Sequence, residues 1–270
     1  MGSRAAFVAL AIAAMLSGPP AALAAARGPD PLLTARRLYN EGQLDAALTA
    51  ARQAVANPST ASSAHLVLGR IHLERYRRTT AAAELIDART DLRAIDPRAL
   101  DQRERIELQV GLSALLYYED QFGAAAELLD PIVDASATLA PDAHERALDW
   151  WATALDRQAQ TSTDRLAAYA RITERMEQEL RRDAASPPAN YWLAAAARAS
   201  GDLERAQAAA SAAWIRATLA RDHGVALRAD LDRLVTQGII PDTAGRVPAR
   251  DRRQAATALA ADWESFKKAW

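Results

Sequence analysis

The stretch PPANYWLAAAARASGDLERAQAAASAA, Pro187 to Ala213, reads as two short helices folded back on each other. Ser186 before Pro187-Pro188 is a good helix start, because a Ser side chain can cap orphan N–H groups and a first-turn Pro has none to leave unsatisfied. Trp192, Leu193 and Ala197 fall on one face. Gly201-Asp202 then breaks the run: Gly tolerates the left-handed conformation that ends a helix, and Asp can cap the next one. Leu203, Ala206, Ala210 and Ala213 form the inner stripe of the second helix, whose small residues let two backbones approach closely.

Similar units lie upstream. In LYNEGQLDAALTAARQAVANP (Leu38–Pro58), Gly42, Leu44, Ala47, Ala51 and Ala54 occupy nearly the same relative places. LVLGRIHLERYRRTTAAAELIDA (Leu66–Ala88) places Leu68-Gly69 and then His72, and LSALLYYEDQFGAAAELLDPI (Leu112–Ile132) places Leu112, Ser113, Leu116, Phe122, Ala125, Leu129 and Ile132. A bulky residue, Leu with a small residue, Gly, then small residues one turn apart is similar to the tetratricopeptide repeat, whose unit is about 34 residues. Adding about 34 to Ala47, Ala51 and Ala54 leads to Ala81, Leu85 and Ala88. The resemblance runs from about Asp30 to about Ala220 and implies an all-α array of antiparallel helix hairpins, an α-solenoid. Strand signals, meaning period-two alternation with β-branched residues, are nearly absent.

Residues 1–24 are expected to be a secretory signal peptide. Arg4 is a short positive start, Ala5–Leu16 is apolar but too short to span a bilayer comfortably, and Ala22-Leu23-Ala24 is a small-x-small cleavage site, with Ala24–Ala26 a nearby alternative. This points to a periplasmic or secreted protein with no integral membrane segment after cleavage. With no Cys, such a protein has neither disulfides nor a Cys-borne lipid and is held by packing alone. Residues 25–222 are expected to form the repeat domain and residues 223–270 a C-terminal helical cap, since the last repeat of a solenoid otherwise leaves an apolar face in water. The final helix aligns Leu259, Trp263, Phe266 and Trp270 on one stripe. Further helix starts are expected at Asp30-Pro31, Ser59-Thr60, Thr79-Thr80, Asp96-Pro97 (a long helix to Glu119), Asp142 with Glu145 as a capping box, and Ser162 or Thr163; Pro241–Pro248 reads as a turn-rich link. About ten extra residues around Ile95–Glu104 separate the second and third units, and the adjacent Trp150 and Trp151 must point to different helix faces.

The net charge of −1 gives no basis for a broad nucleic-acid surface. No Gly-rich phosphate loop, GxSxG or Cys nucleophile is present, and the protein is read as non-enzymatic, without cofactors. No metal site is expected: His65 and His72 lie two turns apart, beyond the i,i+4 chelating spacing, and His72 occupies a core position of the repeat. What remains is binding. In the repeat family the first helix of each pair lines a concave groove. By position, the resemblance implies groove-facing Arg36, Tyr39 and Asn40 in the first unit, Arg70, Leu73 and Glu74 in the second, Tyr117 and Tyr118 in the third, and Tyr191 and Arg198 in the last. Mixed Arg, Tyr and Asn suits an extended peptide or an adaptable protein surface. The expected function is a scaffold of the cell envelope that holds a protein or peptide partner. The alternative is a periplasmic accessory protein binding a small solute for a transporter, which calls for a closed apolar pocket lined by Trp150, Trp151 and Tyr169.

Overall fold

The computed structural model describes residues 30–140, 142–220 and 223–270; the expected signal segment lies outside the described residues. Among the described residues there is helix and no strand. The helices are α1 (Pro31–Asn40), α2 (Leu44–Val55), α3 (Ala61–Thr79), α4 (Ala82–Arg93), α5 (Gln102–Tyr118), α6 (Phe122–Leu129), α7 (Ala143–Thr161), α8 (Arg165–Arg182), α9 (Pro187–Ser200), α10 (Leu203–Arg216), α11 (Gly224–Leu234), α12 (Ile240–Ala244) and α13 (Arg252–Ala269). None is long and apolar enough to cross a membrane.

Each helix from α1 to α10 packs on the next, and the odd-numbered helices also meet one another: α3 touches α1 and α5, and α9 touches α7 and α11. The hairpin turns share one device. Gly42 (φ 75°) after α1 and Gly201 (φ 88°) after α9 are left-handed, as helix-ending glycines are. Thr80 (φ 54°) and Asp120 (φ 59°) adopt the same conformation after α3 and α5, where a side chain costs energy. Ala47, Ala51, Ala206 and Ala210 are fully buried, so paired helices meet across methyl groups. Larger anchors fill the spaces between pairs. Trp151, Leu148, Ile172 and Met176 form the centre of a core shared by α5 to α9, and the Trp192 indole donates 2.7 Å to Asp149, tying α9 to α7.

The units are longer than the repeat arithmetic expects. Second helices begin at Leu44, Ala82, Phe122, Arg165 and Leu203, about 40 residues apart rather than about 34. No breaker interrupts α3 before Thr80, so it runs 19 residues where α1 runs 10. Ala81 consequently stands exposed before α4, and Ala88 and Leu92 are the residues of α4 that are buried.

Several helix starts also differ. Asp96-Pro97 opens only a 3-10 turn (Pro97–Ala99); α5 begins later, under a capping box in which Asp101 accepts from the Glu104 N–H (2.8 Å) and Glu104 accepts from the Asp101 N–H (3.0 Å). Asp142 pairs with Arg146 and caps nothing. The Ser186 hydroxyl is buried without a partner, so Pro187 starts α9 without a side-chain cap. Part of the expected link at Pro241–Pro248 is helical: α11 continues through a π-helical turn (Val235–Ile239) into α12, and Pro241 is accommodated where the α-helical ladder is already interrupted. The aromatic stripe of α13 is largely internal. Trp263 is buried, donates 2.8 Å to Asp232, stacks on Phe266 and meets the edge of Trp214, whereas Trp270 is 62 % exposed.

Two substitutions test this packing. Ala47→Trp overfills the fully buried α1/α2 interface and is expected to cost about 1–3 kcal/mol or more, read as a lower midpoint in thermal melts; an unchanged melt contradicts the interface. Thr80→Gly relieves a left-handed β-branched residue and is expected to raise stability by about 0.5–1 kcal/mol in urea unfolding, the gain being reduced by the greater freedom of Gly in the unfolded chain.

Candidate functional site

The stacking of odd-numbered helices is interrupted once. Two 3-10 turns, Asp130–Ile132 and Ala135–Thr138, follow α6, and the second packs against both α5 and α7, which make little direct contact. The wedge holds the two helices apart and leaves a groove of about 830 Å3. Its lining comes from α1 (Tyr39, Asn40), α3 (Arg70, Leu73, Glu74, Arg77, Arg78), α5 (Glu107, Val110, Gly111, Ala114, Tyr118), the wedge and its exit (Ser136, Leu139, Ala140) and α7 (Ala143, Arg146, Ala147, Trp150), with Gly42, Leu44, Leu129 and Asp142 at its margins.

The floor is apolar: Leu73, Val110, Ala114, Ala147 and Trp150. Charged groups surround it, four arginines (Arg70, Arg77, Arg78, Arg146) against three carboxylates (Glu74, Glu107, Asp142), and they hold one another. Arg70 donates 2.7 Å to Glu107 and lies 4.7 Å over the Tyr39 ring. Arg103 joins the same Glu107 at 3.3 Å and reaches the Leu139 carbonyl at 2.8 Å, so α3, α5 and the wedge are stitched together. Arg77 and Arg78 both donate to Glu74, at 2.7 and 2.8 Å, and the hydrogen bond from Arg77 is the main cause of a Glu74 carboxyl held below its usual range. Tyr118 packs 5.0 Å from Tyr76, and burial pushes its phenol up, so it stays a neutral donor.

Of the groove-facing residues expected from the sequence, Tyr39, Asn40, Arg70, Leu73, Glu74 and Tyr118 line this groove. Four do not. Arg36 pairs with the buried Glu104 and so binds α1 to the start of α5. Tyr117 turns behind the groove wall, stacked on Trp150 (6.4 Å) and against Phe122 (5.2 Å). Tyr191 packs on Trp192 between two core clusters. Arg198 lies over Gly238 and donates 2.8 Å to Asp242 of α12. The last two are lost for one reason: the C-terminal helices lie against α9. Val110, Gly111, Ala114, Arg77 and Arg146 belong to the groove but were not singled out by the sequence. Same-face spacing from Glu107 to Val110, Gly111, Ala114 and Tyr118 was the available signal.

A closed pocket around Trp150, Trp151 and Tyr169 is not formed. Trp150 faces the groove, but Trp151 is core, and Tyr169 is buried with its hydroxyl donating 3.1 Å to Asp156. Burial and the neighbouring Asp156 push the Tyr169 phenol up to about 12, so it acts as a fixed structural donor.

The far wall of the groove is buttressed by His144. Its Nδ1 lies 3.0 Å from the Val133 carbonyl and its Nε2 2.9 Å from the buried Glu179 carboxylate, so both ring nitrogens face acceptors. The Glu179 hydrogen bond, followed by the Val133 carbonyl, outweighs desolvation and raises the imidazole above its ordinary value near 6.5. The side chain therefore stands as an imidazolium joining α7, α8 and the wedge.

No protein-family model, curated protein or solved structure matches the chain.

The raised His144 value has a definite sign. Its contribution to stability is complete below the ordinary imidazole pKa and is lost as pH rises through the raised one. Urea unfolding across that window should therefore show wild type losing stability relative to His144→Gln as pH increases. A difference between the two proteins that stays constant with pH contradicts the imidazolium assignment.

Proposed function

We propose that this protein is a non-enzymatic adaptor of the cell envelope that holds an extended segment of a protein partner in the α1/α3/α5/α7 groove of a tetratricopeptide-like array. The observation that carries the reading is the lining itself, an apolar floor from successive odd-numbered helices bordered by tyrosines and mutually engaged charges. Such a surface offers aromatic anchors with a polar rim, the composition of protein-recognition sites. Helices packed about 8–10 Å apart give four odd helices a span of about 25–30 Å, which an extended peptide covers in about eight residues. The near balance of charge inside the groove favours a peptide of mixed composition over a polyanion. Residues 1–24, with their positive start, short apolar core and small-residue site, support export. The small-solute alternative rested on an enclosed Trp150/Trp151/Tyr169 pocket; Trp151 and Tyr169 are core, which favours the adaptor.

The test is a peptide selected from a random library on the mature chain, with affinity followed by fluorescence polarisation. Tyr39→Ala and Tyr118→Ala should each weaken binding about tenfold, the effect of losing about 1.4 kcal/mol of anchor contact. Tyr191→Ala should leave affinity within about twofold, since that side chain lies outside the groove. Binding that survives both groove substitutions rules the reading out.

A further inference from the structure

A second cavity, of about 350 Å3, lies on the other flank of α3, where α2, α3 and α4 meet; His65, His72, Asp87 and Asp91 line it, with Arg52 and Thr90. In sequence His65 and His72 are two turns apart and form no chelate. In the folded chain α4 lies across them and brings carboxylates to both.

His72 is 3 % exposed. Its Nδ1 lies 2.6 Å from Glu84 Oε2, so Nδ1 carries the proton and, in the neutral imidazole, Nε2 is a bare lone pair. Nε2 makes no hydrogen bond. The group facing it is Asp91 Oδ2 at 3.7 Å, another acceptor. That gap is too long for a hydrogen bond, yet it suits two donors that each sit about 2.0–2.2 Å from one cation. Asp91 is held in place by its other oxygen, which lies 2.8 Å from His65 Nδ1. Donor atoms of His72, Glu84 and Asp87 lie within 4.8 Å of one another, which brings a third carboxylate within reach. Glu84 is already engaged on both oxygens, by His72 and by Arg75 at 3.0 Å. Asp87 and Asp91 form no ion pair with Lys or Arg among the described residues, although Arg52 lines the same cavity. A buried imidazole nitrogen without a partner thus faces two carboxylates that no Arg or Lys neutralises.

We propose that this cluster binds one divalent first-row transition cation, with His72 Nε2, Asp91 and Asp87 as donors. Imidazole with carboxylate is a zinc-type donor set. Glu84 is the positioning residue: a carboxylate on the far nitrogen of a ligating imidazole fixes its tautomer and orientation and raises its basicity. His65 does the same for Asp91.

The experiment is titration of the mature chain with zinc chloride by calorimetry, and with cobalt(II) followed by its visible absorption. Wild type should bind one zinc per chain, and cobalt should develop the intense visible band of a low-coordinate site. Asp87 is exposed, so Asp87→Asn keeps the fold; it and Asp91→Asn should each weaken binding at least tenfold. Glu84→Gln should weaken it about tenfold while keeping one-to-one stoichiometry, as loss of an orienting carboxylate does. Absence of saturable one-to-one binding overturns the proposal, as does binding that Asp87→Asn and Asp91→Asn leave unchanged. None of these readouts depends on peptide binding in the groove.

Discussion

Alanine at the crossing points of paired helices sets the geometry on which the rest of the molecule depends. Ala47 and Ala51 in the first hairpin, Ala125 and Ala126 in the third, and Ala206 and Ala210 in the last lie at or near zero exposure. Methyl groups there let each pair close tightly, but a methyl group stabilises little, about 0.8 kcal/mol per buried carbon. The larger share of apolar burial falls to the contacts between pairs, where Leu148, Trp151, Ile172 and Met176 meet. With no cysteine in the chain, no covalent cross-link supplements that packing. A change that widens one hairpin therefore acts on its neighbours, because the same helices serve both interfaces.

The groove follows from a local failure of that regularity. Where the wedge of 3-10 turns replaces direct α5–α7 packing, the odd-numbered helices part and their inner faces stay accessible. The charges around the opening then matter more for order than for energy. Exposed ion pairs contribute about 0–1 kcal/mol each, but Arg70, Glu107 and Arg103 connect α3, α5 and the Leu139 carbonyl and so hold the rim in one arrangement. A rigid rim lowers the ordering cost that a bound peptide must overcome.

Histidines carry a related role. His65, His72 and His144 each reach a carboxylate on another helix, respectively Asp91, Glu84 and Glu179. These contacts fix how one helix lies on the next, something that nonspecific apolar packing leaves free to slide. The His144 contact supports the groove wall, and the His65/His72 pair concentrates polar chemistry on the opposite flank of α3. The two regions share that helix but no side chain apart from neighbours in sequence, so they can be altered separately.

The sequence by itself determined the helices, the left-handed turns at Gly42 and Gly201, the alanine stripes, and the face of α1, α3 and α5 that carries Tyr39, Asn40, Arg70, Leu73, Glu74 and Tyr118. All of these are local: helix periodicity and turn chemistry operate over a few residues. Tertiary structure alone decided the length of the units, which depends on how far α3 runs before Thr80, and the separation of α5 from α7. It also decided the fate of Tyr191 and Arg198, which the same periodicity placed on an inner face but which the C-terminal helices occupy. The meeting of His72 with Glu84 and Asp91 was likewise invisible in spacing along α3, because the carboxylates arrive from α4. Local order is written residue by residue, whereas which faces remain open is settled by contacts between segments far apart in the chain.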